Sequence, residues 1–290
     1  MHNNEHLNFA CSFFHGKLIH LSMRFLKDYS KVFACFIALL GSTSVLAKGD
    51  DPSVFGQSKQ SEAALIGVLY DLKQTQDHKP TNVDPEVYST VVDEFLSKGW
   101  DEGVLNRYYR VSRPLYTTQI FIPNMDANEA PKAFGAEKTV QPSRWVIHYK
   151  GQVSPPESGT YRFWGIADDV MAVAVNGKTV LVGNRRDTRL PLTNWQASER
   201  DGAHAGDGDL RPGDWMPLKA TDIIDLDVII GERPGGIFNA FLMVEKQGAS
   251  YNTDRRGHLI LPIFQIAPYN TPPTRDAEFA TGFPIWKSYQ

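Results

Sequence analysis

Apolar positions recur on two different periods along this chain. From Asp84 to Gly99 the period is helical: Val87, Val91, Phe95 and Leu96 fall on one side, with Asp84 as N-cap, Pro85 in the first turn and Gly99 as the stop. Everywhere else the apolar runs are short, rich in β-branched and aromatic types, and separated by turn residues. AALIGVLYDLKQT (63–75), LYTTQIFIP (115–123), SRWVIHYKG (143–151), TYRFWGIA (160–167), VMAVAV (170–175) and KTVLVG (178–183) read as strands. So do TDIIDLDVIIGE (221–232), GIFNAFLMVEKQG (236–248) and HLILPIFQIA (258–267). Asn176-Gly177 is a two-residue hairpin signal, because both residues tolerate positive φ. DANEAPKAFG (126–135) is a short helix or turn closed by Gly135, and 184–215 is a long polar loop of the kind that carries function or is disordered. Many strands with tight turns and one clear helix predict a mainly β chain, an antiparallel β-sandwich with a short helical insertion at about 84–110.

The first 47 residues follow a third pattern. Arg24, Lys27 and Lys31 precede an apolar run from Val32 to Leu40, and Val45-Leu46-Ala47 fits the small-residue cleavage rule. Residues 1–47 therefore read as a Sec signal peptide cut after Ala47, with Met23 as the more natural start. The alternative is an uncleaved anchor, for which the run is short against a hydrocarbon core of about 30 Å. This predicts export to the periplasm, the outer surface or the medium. Both cysteines, Cys11 and Cys35, fall inside the leader, so residues 48–290 hold no disulfide and no thiolate metal site. Residues 48–60 read as a flexible linker and 269–290 as an extended tail. No run after the leader is long enough to span a membrane, and a net charge of −3 argues against a nucleic-acid surface.

One feature resists the sandwich pattern: Asp168 and Asp169 stand together between two apolar strands. The stretch from Tyr149 to Lys178 combines Gly151, Pro156, Ser158-Gly159, Tyr161, Phe163, Gly165, Ala167-Asp168-Asp169 and Asn176-Gly177 in an order that resembles the PA-14 domain family. IIDLDVIIGERPGGIFNAFLMVE is similar to that family's closing strands and LIGVLYDLKQT to its opening strand, so the resemblance covers roughly 61–268. It implies a jelly-roll-like β-sandwich found in toxins, in glycosidase inserts and in flocculin-type adhesins. In those adhesins a cis-linked aspartate pair binds calcium, which holds sugar hydroxyls, and a loop asparagine completes the ion's shell. Here Val170 follows the pair where glycine is common, and Glu232 stands at the place of the asparagine.

The chemistry and the geometry of the pair pull in different directions. Calcium takes six to eight hard oxygens, and two carboxylates supply charge and several of them. Neighbouring residues of an extended strand point to opposite faces, however, so both converge only across a sharp turn or a cis peptide. The structural alternative is an Asx-type turn at Asp168 with Asp169 facing water. Under the metal reading the ligands are Asp168, Asp169 and Glu232, and calcium is the cofactor. Asp207 and Asp209 in the long loop have alternate calcium-loop spacing, but Arg211 and Leu218 fall where an EF-hand needs ligands, so they are expected to wall a ligand site instead. Trp195 and Trp215 are the candidate sugar-stacking rings, and packing anchors are the competing reading. His148, His204 and His258 are each isolated. No nucleophile elbow, zinc-protease, P-loop or dinucleotide motif is found, and an adjacent Asp pair is poorly spaced for glycoside hydrolysis. The expected function is an exported binder of glycan or envelope polysaccharide. The alternatives are a non-catalytic envelope component contacting other proteins, or an accessory module of a carbohydrate-active system.

Overall fold

Strand-forming runs that are apolar on every residue need cover on both faces, and the fold supplies it. The computed structural model describes residues 53–289. The leader, its cleavage site and the start at Met23 lie outside them. In chain order the elements are β1 (Leu65–Asp71), α1 (Pro85–Ser97), α2 (Glu102–Leu105), β2 (Tyr109–Arg110), β3 (Leu115–Thr117), β4 (Phe121–Asp126), α3 (Glu129–Ala133), β5 (Trp145–Ser154), β6 (Gly159–Asp168), β7 (Val170–Val175) and β8 (Lys178–Val182). There follow β9 (His204–Ala205), β10 (Gly208–Asp209), β11 (Arg211–Pro212), β12 (Met216–Leu218), β13 (Ile224–Glu232), β14 (Ile237–Lys246) and β15 (Lys287–Tyr289).

Two antiparallel sheets face each other. The larger has the order β2-β1-β5-β13-β7-β8, with β3 also on β1 and β15 on β5; the smaller has the order β11-β6-β14-β4, with β12 also on β6. Alternate residues of both meet in the sandwich core: Trp145, Ile147, Met171, Leu226 and Val228 from one side, Phe163, Phe238 and Leu242 from the other. The residues between them are not wet. On the larger sheet Val146, Ala172 and Ile229 lie under Tyr88, Val92 and Phe95 of α1. On the smaller sheet Trp164, Ile166 and Phe241 lie under Ala203, Leu210 and Leu261. This explains why VMAVAV and IFNAFLMV show no alternation: each face meets its own layer.

The helix of 13 residues begins at Asp84, whose carboxylate accepts the Glu86 and Val87 N–H groups at 2.9 and 2.8 Å. Tyr88, not Val87, is on its buried face; Val87 is exposed. The Asn176-Gly177 turn has φ of +50° and +75°, as expected.

Three expectations need correction. Residues 258–267 do not form a strand but make single bridges, Thr253 to Leu259, Met243 to Ile263 and Gln119 to Gln265. Pro262 has no N–H to extend a ladder, although its carbonyl accepts from Val244 at 3.0 Å. The expected tail is built into the sandwich: β15 pairs with β5, and Trp286 is buried against Tyr161, Phe163 and Phe264. The expected linker is likewise anchored, with Phe55 buried against Phe238 and Gln57 bridged to Tyr116.

Candidate functional site

The chain changes sheet at the aspartate pair. β6 ends at Asp168 in the smaller sheet and β7 starts at Val170 in the larger, so residues 168 and 169 must turn across the sandwich within one step. The bond between them is cis. At the same end β13 crosses to β14 through Arg233–Gly236, which brings Glu232 alongside. Backbone bonds weld the crossing: Asp169 N–H donates to Gly231 O (3.0 Å), and Arg185 N–H donates to Asp169 O (3.0 Å). The end of β8 reaches this point because Gly183 passes closely over Gly165; a Cβ on Gly183 would run into the Gly165 carbonyl oxygen.

Asp168, Asp169 and Glu232 are 6%, 0% and 1% exposed, so three carboxylates lie together under a dry cover. The Asx-turn alternative therefore fails, since Asp169 does not face water. Asp168 Oδ1 accepts from Arg185 Nη1 at 2.9 Å. Asp169 Oδ2 accepts the Arg233 N–H at 2.8 Å, and Glu232 Oε1 accepts the Gly235 N–H at 2.7 Å. The other oxygens of the inner two, Asp169 Oδ1 and Glu232 Oε2, are buried without a donor, as is Asn239 Oδ1. Burial, only partly offset by Arg185, raises the Asp168 carboxyl to about 6. Burial and then the charge of Asp169 push Glu232 to about 8, and burial also raises Asp169. At neutral pH Glu232 thus keeps a proton, which is in position to bond Asp169.

Outside the pair lies an open polar pocket of about 560 Å³, walled by Arg185, Arg186, Asp187, Asp207, Asp209 and His204 among others. Arg185 bridges wall and floor, since its Nη1 is also 3.6 Å from Asp207 and its Nε 3.6 Å from Asp187. Arg233 joins Asp187 at 2.5 Å and lies 3.8 Å from Asp169 Oδ1. Asn239, opposite Asp168 in register, donates to Asn124 at 2.9 Å and to Asp207 at 3.4 Å.

The helical insertion holds the loop that follows these arginines. Buried Asp93 of α1 accepts the Leu192 N–H (2.6 Å), the Thr193 N–H (2.7 Å) and the Thr193 hydroxyl (2.6 Å). Asp93→Ala leaves these donors without an acceptor, and a loss of about 1–3 kcal/mol in urea unfolding is expected, with faster amide exchange at 192 and 193. An unchanged unfolding midpoint would show that the clamp contributes nothing.

The two tryptophans expected to stack on sugar do not line this pocket. Trp195 is packed against both the sandwich core and the helix-covered layer. The Trp215 ring is covered by the Arg162 guanidinium at 4.1 Å, with Trp164 on the same cation at 4.6 Å. Both rings are half-buried and held by these contacts. The three expected metal ligands are gathered at one place but not closed round a common centre: among the described residues no three His, Cys, Asp or Glu form a group that could hold an ion. Arg185, Asp187, Arg233 and Asn239 belong to the site and were not singled out from sequence. Asn239 had a visible signal, one amide inside an otherwise apolar strand; the two arginines sit in loops and had none.

The strands of the β-sandwich thus cross between sheets at an aspartate pair, beside a polar pocket. Residues 101–205 match the family model described as PA14 domain. None of the curated proteins matches the chain. Among solved structures it is similar to a "PA14 sugar-binding domain from RTX adhesin" (17% identity, 69% of this chain, 94% of that one, TM-score 0.42). It is also similar to the PA14 domain of the MpAFP antifreeze protein (15%, 66% and 87%, TM-score 0.38). A third is the Epithelial Adhesin 9 A domain from Candida glabrata in complex with Galb1-3GlcNAc (16%, 72% and 94%, TM-score 0.37).

Proposed function

We propose that this protein binds carbohydrate at the pocket over Asp168 and Asp169, with the help of a calcium ion, at the cell envelope or outside the cell. The observation that carries the reading is the cluster of three buried carboxylates, Asp168, Asp169 and Glu232, at the crossing of the two sheets and next to a polar pocket. Buried oxygens of that kind demand a cation or a proton, and hard oxygen donors suit calcium. Asp168 and Asp169 would hold the ion, with Glu232 and the Asn239 amide oxygen as the nearby neutral or ionisable donors. The ion would offer a hard site for vicinal sugar hydroxyls. The chain's own part is to keep the pair buried, to hold it through the Gly231 and Arg233 backbone, and to present Asp207, Asp209 and His204 as hydrogen-bonding walls. The PA14 match supports the binding class, the leader-like start supports export, and the lack of any catalytic motif supports a binder over a catalyst.

A glycan array probed with the protein in calcium and in chelator tests the reading. Binding that needs calcium, and is lost in Asp169→Asn, is expected. Equal binding in chelator removes the metal from the reading. No glycan bound in either condition removes the carbohydrate, and a protein captured through this face would then favour the envelope-component alternative.

A further inference from the structure

We propose that this chain carries a second ligand site, an uncharged groove beside Gln119 and Tyr269 that binds a neutral saccharide without a metal ion. The site goes beyond the reading above, since the groove shares no lining residue with the pocket over the aspartate pair.

Residues 53–57 and 268–274 close over the β3–β4 connection and leave a groove of about 510 Å³ between them. That lies inside the roughly 300–1,000 Å³ usual for small-molecule sites. No Asp, Glu, Lys, Arg or His lines it, whereas the aspartate pocket is walled mostly by charged groups. The groove therefore suits a ligand without charge.

Gln119 is its polar centre. The residue is 8% exposed, and its neighbours fix the direction of its carboxamide. Gln265 Nε2 donates to Tyr269 O at 3.2 Å, which identifies the nitrogen end of that amide, and also to Gln119 Oε1 at 2.6 Å. The Thr271 hydroxyl donates to the same Oε1 at 3.0 Å. Gln119 thus commits its oxygen to the protein and keeps two N–H groups, which meet no acceptor among the described residues. Its nitrogen is not sealed inside the fold, so it opens on the groove that the residue lines. Donors held there by a side chain more than nine-tenths buried call for a ligand oxygen or a water.

The apolar half comes from Tyr269, 48% exposed, with Tyr116, Val54 and Pro272 on the same lining. An open aromatic face beside amide donors and the Thr118 hydroxyl complements a sugar ring, which presents an apolar C–H face and a rim of hydroxyl oxygens. A peptide strand fits less well. Pro268, Pro272 and Pro273 have no N–H, and the Tyr116 N–H and carbonyl are already paired with Gln57 at 2.8 and 2.9 Å, so these walls offer no backbone ladder.

Two-dimensional NMR of the isotope-labelled protein in chelator tests the site, with lactose, maltotriose, cellotriose, a galacturonate trimer and a proline-rich peptide as probes. At least one neutral sugar is expected to shift the Gln119 side-chain amide signals and the backbone amides of 117–119 and 269–271 saturably. The charged trimer should not. Tyr269→Ala should weaken the neutral sugar at least about ten-fold while melting like the wild type. Gln119→Glu keeps an oxygen for Gln265 and Thr271 but removes both donors, and should weaken it as strongly. Asp169→Asn should leave it unchanged, whatever that variant does at the aspartate pocket. Neutral sugars that leave these signals unmoved would overturn the proposal, as would shifts that survive both groove variants. Sugar shifts lost in Asp169→Asn would assign the sugar to the first pocket instead, and shifts caused by the peptide alone would make the groove a protein contact.

Discussion

Freed of divalent cations at pH 8, Glu232→Gln is expected to melt well above the wild type, and the gap should close at pH 5. In the folded chain Glu232 is pushed to about 8 and Asp168 to about 6, first by burial and then by the neighbouring acids. Unfolded, both titrate near 4. Between those limits the folded chain holds protons that the unfolded chain has released, so stability falls as pH rises. The contribution is fully present below about pH 4 and is lost as pH climbs through the folded values. Every pH unit that separates the folded from the unfolded titration is worth about 1.4 kcal/mol, so Glu232 alone accounts for several kcal/mol across the range. Glutamine removes the charge, keeps an oxygen for the Gly235 N–H, and presents an amide to the donorless Asp169 Oδ1. Calcium should act in the opposite sense to pH, restoring the wild type at pH 8 by binding the folded state alone. Melts at pH 5, 6.5 and 8, with chelator and with calcium, provide the check. A wild type as stable at pH 8 as at pH 5 in chelator would show that these carboxylates are not held together as described.

Some of this was legible in the sequence because local chemistry and global fold agreed. Asp84, Pro85 and Gly99 marked the helix, and Asn176-Gly177 marked the hairpin, since cap and turn requirements are satisfied within a few residues. The aspartate pair was legible for a related reason. Two charges between apolar runs are intelligible only where the chain leaves one sheet for another, and β6 and β7 do lie in different sheets. Runs without alternation, such as VMAVAV, also read correctly as strands, but the layers that bury their second faces come from the helix and from residues far along the chain.

What was hidden depends on distance. Residues 258–267 have strand-like composition, yet each bridges a different neighbour, and composition cannot say whether partners are aligned for a ladder. Trp195 and Trp215 showed aromatic rings in a polar loop, a signal shared by stacking platforms and packing anchors; the rings are taken by the cores and by Arg162. Glu232 was placed from the family resemblance, but its burial, which decides its proton, follows from the β13–β14 crossing. Arg185 and Arg233 meet the pair only because two loops end at the same edge, and no spacing in the sequence encodes that meeting.

The closing strand was missed for want of any pattern in Lys287-Ser288-Tyr289, and its anchor carries the other large effect. Trp286→Ala is expected to cost about 3–5 kcal/mol, the usual range for removing a buried large aromatic. The ring is 2% exposed and meets Tyr161, Phe163 and Phe264 edge-on or tilted at 5.3–5.8 Å, while the backbone N–H of the same residue donates to Gln265 O at 2.9 Å. Against a typical stability of about 5–15 kcal/mol that is about a fifth or more of the total. The lost ring also releases β15 from the last residues of β5, so amide protection at 287–289 should vanish before the rest unfolds. Trp286→Phe, which keeps an aromatic face on Phe163, should lose distinctly less. Because Phe163 and Tyr161 are five and seven residues from Asp168 along β6, the cavity opens roughly 17–24 Å from the pair at an extended rise of about 3.4 Å per residue. Calcium and glycan affinity of the folded variant are therefore expected to match the wild type at low temperature. Urea melts and calorimetry on the same samples separate the two properties: a variant of unchanged stability would mean that the terminal segment does not seal the sandwich, and one of unchanged stability at the core but impaired binding would place the end of the chain at the site.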